Sequence, residues 1–218
     1  MVGSPRMITH VFFDWGGVLV EYPPAKAYPR WAGILQVDEA HLRTAAATAL
    51  PKFETGAGNE TDFWRDTCAI LGCSPPAEPI WLDVFRSTYV EHPAMLSLAT
   101  ELHGSGCTVG IISNTEPPIA DFFRGKMETD PRYRVFSEPV FSCDVGVAKP
   151  LAGIFEVALS RFDVPPAQTV FLDDLEENVE AARRLEMNTV HVEDIDTAIS
   201  EVRRFLATPG DHSIWSTK

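Results

Sequence analysis

Positive charge is in short supply: 18 lysines and arginines stand against 31 aspartates and glutamates, a formal net charge of −13. A protein that binds a phosphate backbone needs clustered basic residues to displace counterions, so this balance argues against nucleic acid. Any small anionic ligand must then be held by local devices. Cysteine is scarce as well. Cys68, Cys73, Cys107 and Cys143 form no CxxC pair and have no flanking histidine ligands, which excludes a zinc ribbon and leaves four reduced, structural thiols. Long apolar runs are missing too. No segment approaches the length that spans a bilayer, and the opening MVGSPRM lacks the apolar core of a secretory signal, so the expected location is cytoplasmic with no membrane partner. What the chain does have is 45% hydrophobic residues in 218, enough for a full core carrying a smaller insert.

The stretch VFFDWGGVL, Val11 to Leu19, organises the rest. Val11, Phe12 and Phe13 read as a strand buried on both faces, and Gly16 and Gly17 let the backbone bend sharply where it ends. Between them stands Asp14. Alone, it could be a turn aspartate bonding nearby amides.

From the bend at Tyr22 to Pro29 until about His92 the chain reads as helical, with helices expected over Arg30 to Gln36, Asp38 to Leu50, Thr61 to Leu71 and Pro79 to Tyr89. The polar, glycine-rich run Phe53 to Glu60 is either a substrate-facing loop or a plain connector. Beyond Pro93, helices alternate with β-rich runs. The strands are expected at Cys107 to Ser113, Val140 to Ser142, Thr169 to Asp173 and Thr189 to Val192, and the last helix at Ile195 to Leu206. That alternation predicts an α/β fold, a doubly wound parallel (Rossmann-like) sheet. Residues 1–20 and 93–208 form its core, residues 21–92 an inserted α-helical cap, and residues 209–218 a flexible tail.

Ligands of open parallel sheets sit beyond the carboxyl ends of the strands. Asp14, Ser113-Asn114, Lys149 and Asp173-Asp174 all fall at such ends. Each has a bland alternative: a turn pair for Ser113-Asn114, a solvated lysine for Lys149, and for Asp174 a helix N-cap completed by Glu177. In order, however, FFDWGGVL, GIISN, VGVAKP and VFLDD followed by Asn178 resemble the motifs of the haloacid dehalogenase superfamily of hydrolases.

That resemblance implies Asp14 as a nucleophile that forms an aspartyl-phosphate, and Lys149 as the residue that neutralises it. It implies phosphate binding by Ser113, the Asn114 backbone amide and Lys149. A Mg²⁺ ion would be held by Asp14, the Gly16 carbonyl and Asp174, with Asp173 acting through water or orienting Lys149, and Asn178 supporting the site. Converging carboxylates would repel one another without a cation, and Mg²⁺ prefers hard oxygen ligands. The paired Asp173-Asp174 resembles the Mg²⁺-dependent phosphatases more than the metal-free dehalogenases. The implied substrate is a small phosphate ester, for example a sugar phosphate. One departure stands out: family phosphatases usually carry an acid two residues after the nucleophile, where this chain has Gly16. Glu21, Glu54 and Glu116 are candidates to replace it. The rival readings are a phosphate- or partner-binding domain without turnover, and a 2-haloacid dehalogenase. A second departure is Glu186, where the family often has a left-handed glycine; Asn188 is expected to take over that turn.

Overall fold

The computed structural model describes residues 7–21 and 24–207. Its centre is β1 (His10–Phe13), in which Val11, Phe12 and Phe13 are fully buried. Val11 and Phe13 face one apolar cluster and Phe12 the other, as period-two alternation in a strand covered on both sides requires. β1 lies between β4 (Thr108–Ser113) and β6 (Thr169–Asp173); β5 (Val140–Phe141) and β7 (Asn188–His191) complete a parallel sheet of order β5-β4-β1-β6-β7. The chain builds outward on one side of β1, then returns to build on the other, so β1 marks the point where the winding reverses. Register does the rest. Phe13 pairs with Ile111 and Leu172, so Asp14 leaves the sheet alongside Ile112-Ser113 and Asp173.

Helices α5 (Pro93–Gly104), α6 (Pro117–Thr129), α7 (Ser142–Val145), α8 (Ala152–Arg161), α9 (Glu176–Arg184) and α10 (Ile195–Leu206) flank the sheet. Between β1 and β4 lie α1 (Pro24–Leu35), α2 (Glu39–Glu54), α3 (Glu60–Leu71) and α4 (Trp81–Arg86). The tail expected at residues 209–218 lies outside the described residues, as do Tyr22 and Pro23.

Several boundaries differ from the sequence reading. The bend expected over Tyr22 to Pro29 is largely helix, because α1 starts at Pro24 and runs through Pro29. Burial of Ala27, Trp31, Ala32 and Leu35 on one face offsets the hydrogen bond a proline cannot donate. Helix α2 likewise passes Pro51 to reach Glu54, held by buried Phe53 against Phe63 and Trp81. Helix α3 begins at Glu60 rather than Thr61, capped by Asn59 in a capping box with Asp62. The loop that remains, residues 55–59, is partly a tether: Gly56 has φ +68°, and a Cβ there would lie 2.2 Å from the Cys143 carbonyl oxygen.

The short antiparallel pair β2 (Val20–Glu21) and β3 (Val90–Glu91) was invisible in the sequence. It ties the two crossings between the helical segment and the sheet, helped by the His92 amide donating to the Leu19 carbonyl at 2.8 Å. Strand β5 ends at Phe141 because Ser142 opens α7. Glu186 itself adopts the left-handed conformation, φ 64°. Asn188 does not take over that turn: it begins β7, its side-chain amide donating to the Ala167 and Thr169 carbonyls.

Candidate active site

At the carboxyl ends of β1, β4 and β6 the structure gathers Asp14, Ser113, Asn114, Lys149, Asp173, Asp174 and Asn178. Asp14, Ser113, Lys149, Asp173 and Asn178 are buried. Oδ1 of Asp14 accepts the Trp15 amide at 2.7 Å, and its Oδ2 lies 2.9 Å from Lys149 Nζ. The same ammonium donates to Asp173 Oδ2 at 2.6 Å and to the Ile112 carbonyl at 3.1 Å. The backbone of Lys149 is clamped in turn by the Asn114 side chain. Asn114 Nδ2 donates to the Lys149 carbonyl at 2.9 Å, and the Lys149 amide donates to Asn114 Oδ1 at 2.7 Å.

Asp173 is saturated by protein donors. Besides Lys149, its Oδ1 accepts the Leu175 amide at 2.9 Å and Asn178 Nδ2 at 3.0 Å. This arrangement fits orienting Lys149 better than ligating an ion directly. It also displaces the N-cap alternative for Asp174, since α9 is preceded by Leu175 and the first amide goes to Asp173. Asp174 instead lies half-buried over Gly17. That glycine has φ +77°, and a Cβ on it would fall 2.2 Å from Asp174 Cγ. Only glycine lets the turn after β1 pass so close beneath a carboxylate.

Electrostatically the cluster is short of positive charge. Burial pushes the Asp14 carboxyl up to about 7, with Lys149 pulling it down and Asp173 pushing it up again. Burial, then the Asp173 charge, also raises Asp174. Burial works against the Lys149 ammonium, yet Asp14 and Asp173 hold it above the ordinary lysine range. Oxygens of Asp14, Asp173 and Asp174 lie within 4.8 Å of one another. One ammonium among three carboxylates leaves excess negative charge that a small hard cation would relieve, so the residues fit Mg²⁺.

Sequence reasoning named Glu116 but missed the other walls of the site. A cavity of about 70 Å³ beside Gly16, Ser113 and Asn114 is lined by Trp15, Val20, Phe85, Thr115, Ile119 and Glu116. Trp15 packs on Phe85 and Phe123 at centroid distances of 5.6 and 5.0 Å. Its place directly after Asp14 was the available signal. Trp81, by contrast, reaches the site only through the packing of α4, where its indole N–H stands beside the Glu116 carboxylate. Glu54 ends α2, and its carbonyl accepts the Ser142 hydroxyl at 2.6 Å; that hydroxyl also accepts the Thr115 amide at 2.9 Å.

A parallel sheet with an aspartate at the end of its first strand, a lysine bridging it to a second aspartate, and a third acid over a glycine turn defines a class of hydrolase. A model of the haloacid dehalogenase-like hydrolases matches residues 8–186, and the chain belongs to that family. It is 28% identical over 197 residues to the sesquiterpene phosphatase astK of Aspergillus oryzae, covering 89% of this chain and 94% of the other. It is 25% identical over 214 residues to the mouse acyl-CoA dehydrogenase family member 10, covering 94% of this chain but spanning only 20% of that protein. Among solved structures, a family enzyme from Bacteroides thetaiotaomicron in complex with magnesium and inorganic phosphate superposes with a TM-score of 0.70 at 22% identity, covering 86% and 96% of the two chains. An L-2-haloacid dehalogenase shares the fold at a TM-score of 0.65 and 17% identity, covering 90% and 99%.

Proposed function

We propose that this hydrolase is a Mg²⁺-dependent phosphatase acting on a small phosphate ester through an aspartyl-phosphate on Asp14. The observation that carries this reading is Asp174, a third carboxylate held over Gly17 beside Asp14 and the saturated Asp173. A metal-free dehalogenase has no use for it, and a binding domain has no use for a nucleophile braced this tightly. Asp14, Asp174 and the Gly16 carbonyl would hold the Mg²⁺, which supplies charge neutralisation for the phosphoryl group.

The chain's own residues do the remainder. Asp14 Oδ2 attacks phosphorus as the bond to the leaving alcohol breaks, and Lys149 offsets the charge on nucleophile and transferring group. Ser113 and the Asn114 amide bind phosphate oxygens. Asp173 and Asn178 position Lys149. Helices α1 to α4 serve as the cap over residues 21–92, with core residues 1–20 and 93–208 beneath. Trp15, Val20, Phe85 and Ile119 on the cavity wall favour an ester whose alcohol is compact and apolar over a sugar phosphate, which would need partners for its hydroxyls. The protein works in the cytoplasm, where Mg²⁺ is available; no helix among the described residues is long and apolar enough to cross a membrane.

The test is a panel of phosphate monoesters and short 2-haloacids, assayed with Mg²⁺ and with EDTA. Phosphate release that requires Mg²⁺, and that falls on the order of 10⁴-fold in Asp14→Asn, supports the proposal. Halide release in EDTA, or binding of phosphate with no turnover of any ester, sinks it.

A further inference from the structure

Gly16 leaves the site without the acid that a poor leaving group requires, and the structure offers a replacement. Of the three candidate glutamates, Glu21 is exposed on β2. Glu54, at the end of α2, is half-buried and is not among the residues that line the cavity beside Gly16. Glu116 does line it, together with Gly16, Ser113 and Asn114. It follows β4 by three residues and precedes Pro117, the first residue of α6, so its backbone is anchored to the strand that carries Ser113.

We propose that Glu116 is the general acid and base of this hydrolase, on the wall of the same cavity that Gly16 lines; the proposal rests on the phosphatase reading above. In the first step Asp14 Oδ2 bonds to phosphorus, the phosphorus–oxygen bond to the alcohol breaks, and the Glu116 carboxyl gives its proton to that oxygen. In the second the Glu116 carboxylate takes a proton from water as the water oxygen bonds to phosphorus and the bond to Asp14 breaks. Glu116 is thereby protonated again and inorganic phosphate leaves.

The surroundings suit the task. Burial, and then the negative charge of Glu54, push the Glu116 carboxyl up to about 8, so it carries a proton at neutral pH. The Trp81 indole N–H faces the carboxylate and opposes that shift in part. The other titratable groups that sense its charge are Tyr28 on α1 and Cys143 on α7. Glu54, Tyr28 and Trp81 all come from the inserted helices, and Glu116 from the core. The proton is therefore held where the two meet, and packing of the helices over the sheet is what keeps the acid charged with it.

The experiment compares Glu116→Gln with the wild type on an alkyl phosphate and on 4-nitrophenyl phosphate, each followed in a single turnover with Mg²⁺. Loss of the acid should slow phosphoryl transfer from the alkyl ester by about 10² to 10⁴-fold, but from the aryl ester, whose alcohol leaves as a stable anion, by less than about tenfold. The phosphorylated variant should also lose its phosphate slowly, because no carboxylate takes the proton from the attacking water. Equal losses on both esters, or no loss on the alkyl ester, overturn the proposal. A second variant guards against misfolding. Glu54→Gln removes the charge that raises Glu116, and should move the basic limb of the alkyl-ester kcat/KM profile to lower pH; an unmoved limb counts against Glu116. If the wild type releases phosphate from no ester, the phosphatase reading falls and this inference with it. If it turns over while Glu116→Gln fails to discriminate, only the assignment of the acid falls.

Discussion

Two groups of carboxylates meet at this cleft, and they are held in opposite ways. Asp14 and Asp173 share the Lys149 ammonium at 2.9 and 2.6 Å, and Asp173 takes two further donors. Glu116 has a carboxylate, Glu54, as its charged neighbour, with the Trp81 indole beside it only partly offsetting that charge. The first arrangement uses pairing with Lys149 to oppose the burial that raises Asp14 to about 7. The second makes charge unfavourable and stores a proton. The phosphatase proposed above would use both: a carboxylate that attacks as an anion, and an acid that gives its proton away.

The largest effect should come from breaking the first group. Lys149→Met leaves Asp14 and Asp173 facing each other without their shared cation. Removing one partner of a buried ion pair typically costs about 3 to 5 kcal/mol, which for a chain of this length lowers Tm on the order of 10 °C. Thermal unfolding at pH 7.5 without Mg²⁺ measures it. A drop under about 3 °C would mean that the pair contributes little to the fold. Saturating Mg²⁺ should recover part of the loss, because a ligand that binds only the folded state stabilises it.

The first group was legible in the sequence as a cluster; of the second, Glu54 and Glu116 stood only as separate candidates, and their meeting with Trp81 was not legible, for a physical reason. Asp14 and Asp173 stand at strand ends, and strands announce themselves by composition: VFF, VGII and VFL are buried runs whose ends register brings together. Lys149 lies between α7 and α8, away from any strand end, and was legible only through the motif VGVAKP. The parallel sheet followed from the alternation of those runs with helices, and Ile195–Leu206 was read to the residue because Asp194 caps it and its apolar face is periodic. Glu54, Trp81 and Glu116 meet through tertiary packing of α2 and α4 on the core. Nothing in their spacing, separated as they are by long stretches of chain, encodes the meeting. The same holds for β2 and β3, too short to show a period, and for α1, where burial of Trp31 overrides the prolines that signalled a bend.

A smaller, more local effect tests the glycine turn beneath Asp174. Gly17→Ala would place a Cβ 2.2 Å from Asp174 Cγ on a backbone at φ +77°. The carboxylate must move, so Mg²⁺ affinity measured by calorimetry should fall by about 10 to 100-fold, the range seen when the support of a metal ligand is disturbed. The paired charges around Lys149 should survive, so stability in EDTA should fall by about 1 to 2 kcal/mol for one left-handed alanine plus the cost of displacing the Asp174 carboxylate. Unchanged Mg²⁺ affinity would remove Asp174 from the metal site.

The smallest effect reads the second group directly, through stability against pH. In the folded protein the Glu116 carboxyl titrates at about 8, against an ordinary value of 4.5. Between those values the folded state binds more protons than the unfolded one, so the contribution of Glu116 to stability is present below about pH 4.5 and is lost as pH rises through about 8. Glu116→Gln cannot ionise and should not lose it. Asp14 and Asp174 are also raised and bend the wild-type curve the same way, so the informative quantity is the difference between the two proteins across pH. The variant should gain on the wild type from about pH 5 upward, reaching an advantage on the order of 1 kcal/mol by pH 9 in urea unfolding, well below the full shift because the side chain is partly solvated. A difference curve that stays flat from pH 5 to 9 would show that Glu116 is ionised throughout, and would leave the leaving alcohol without its donor.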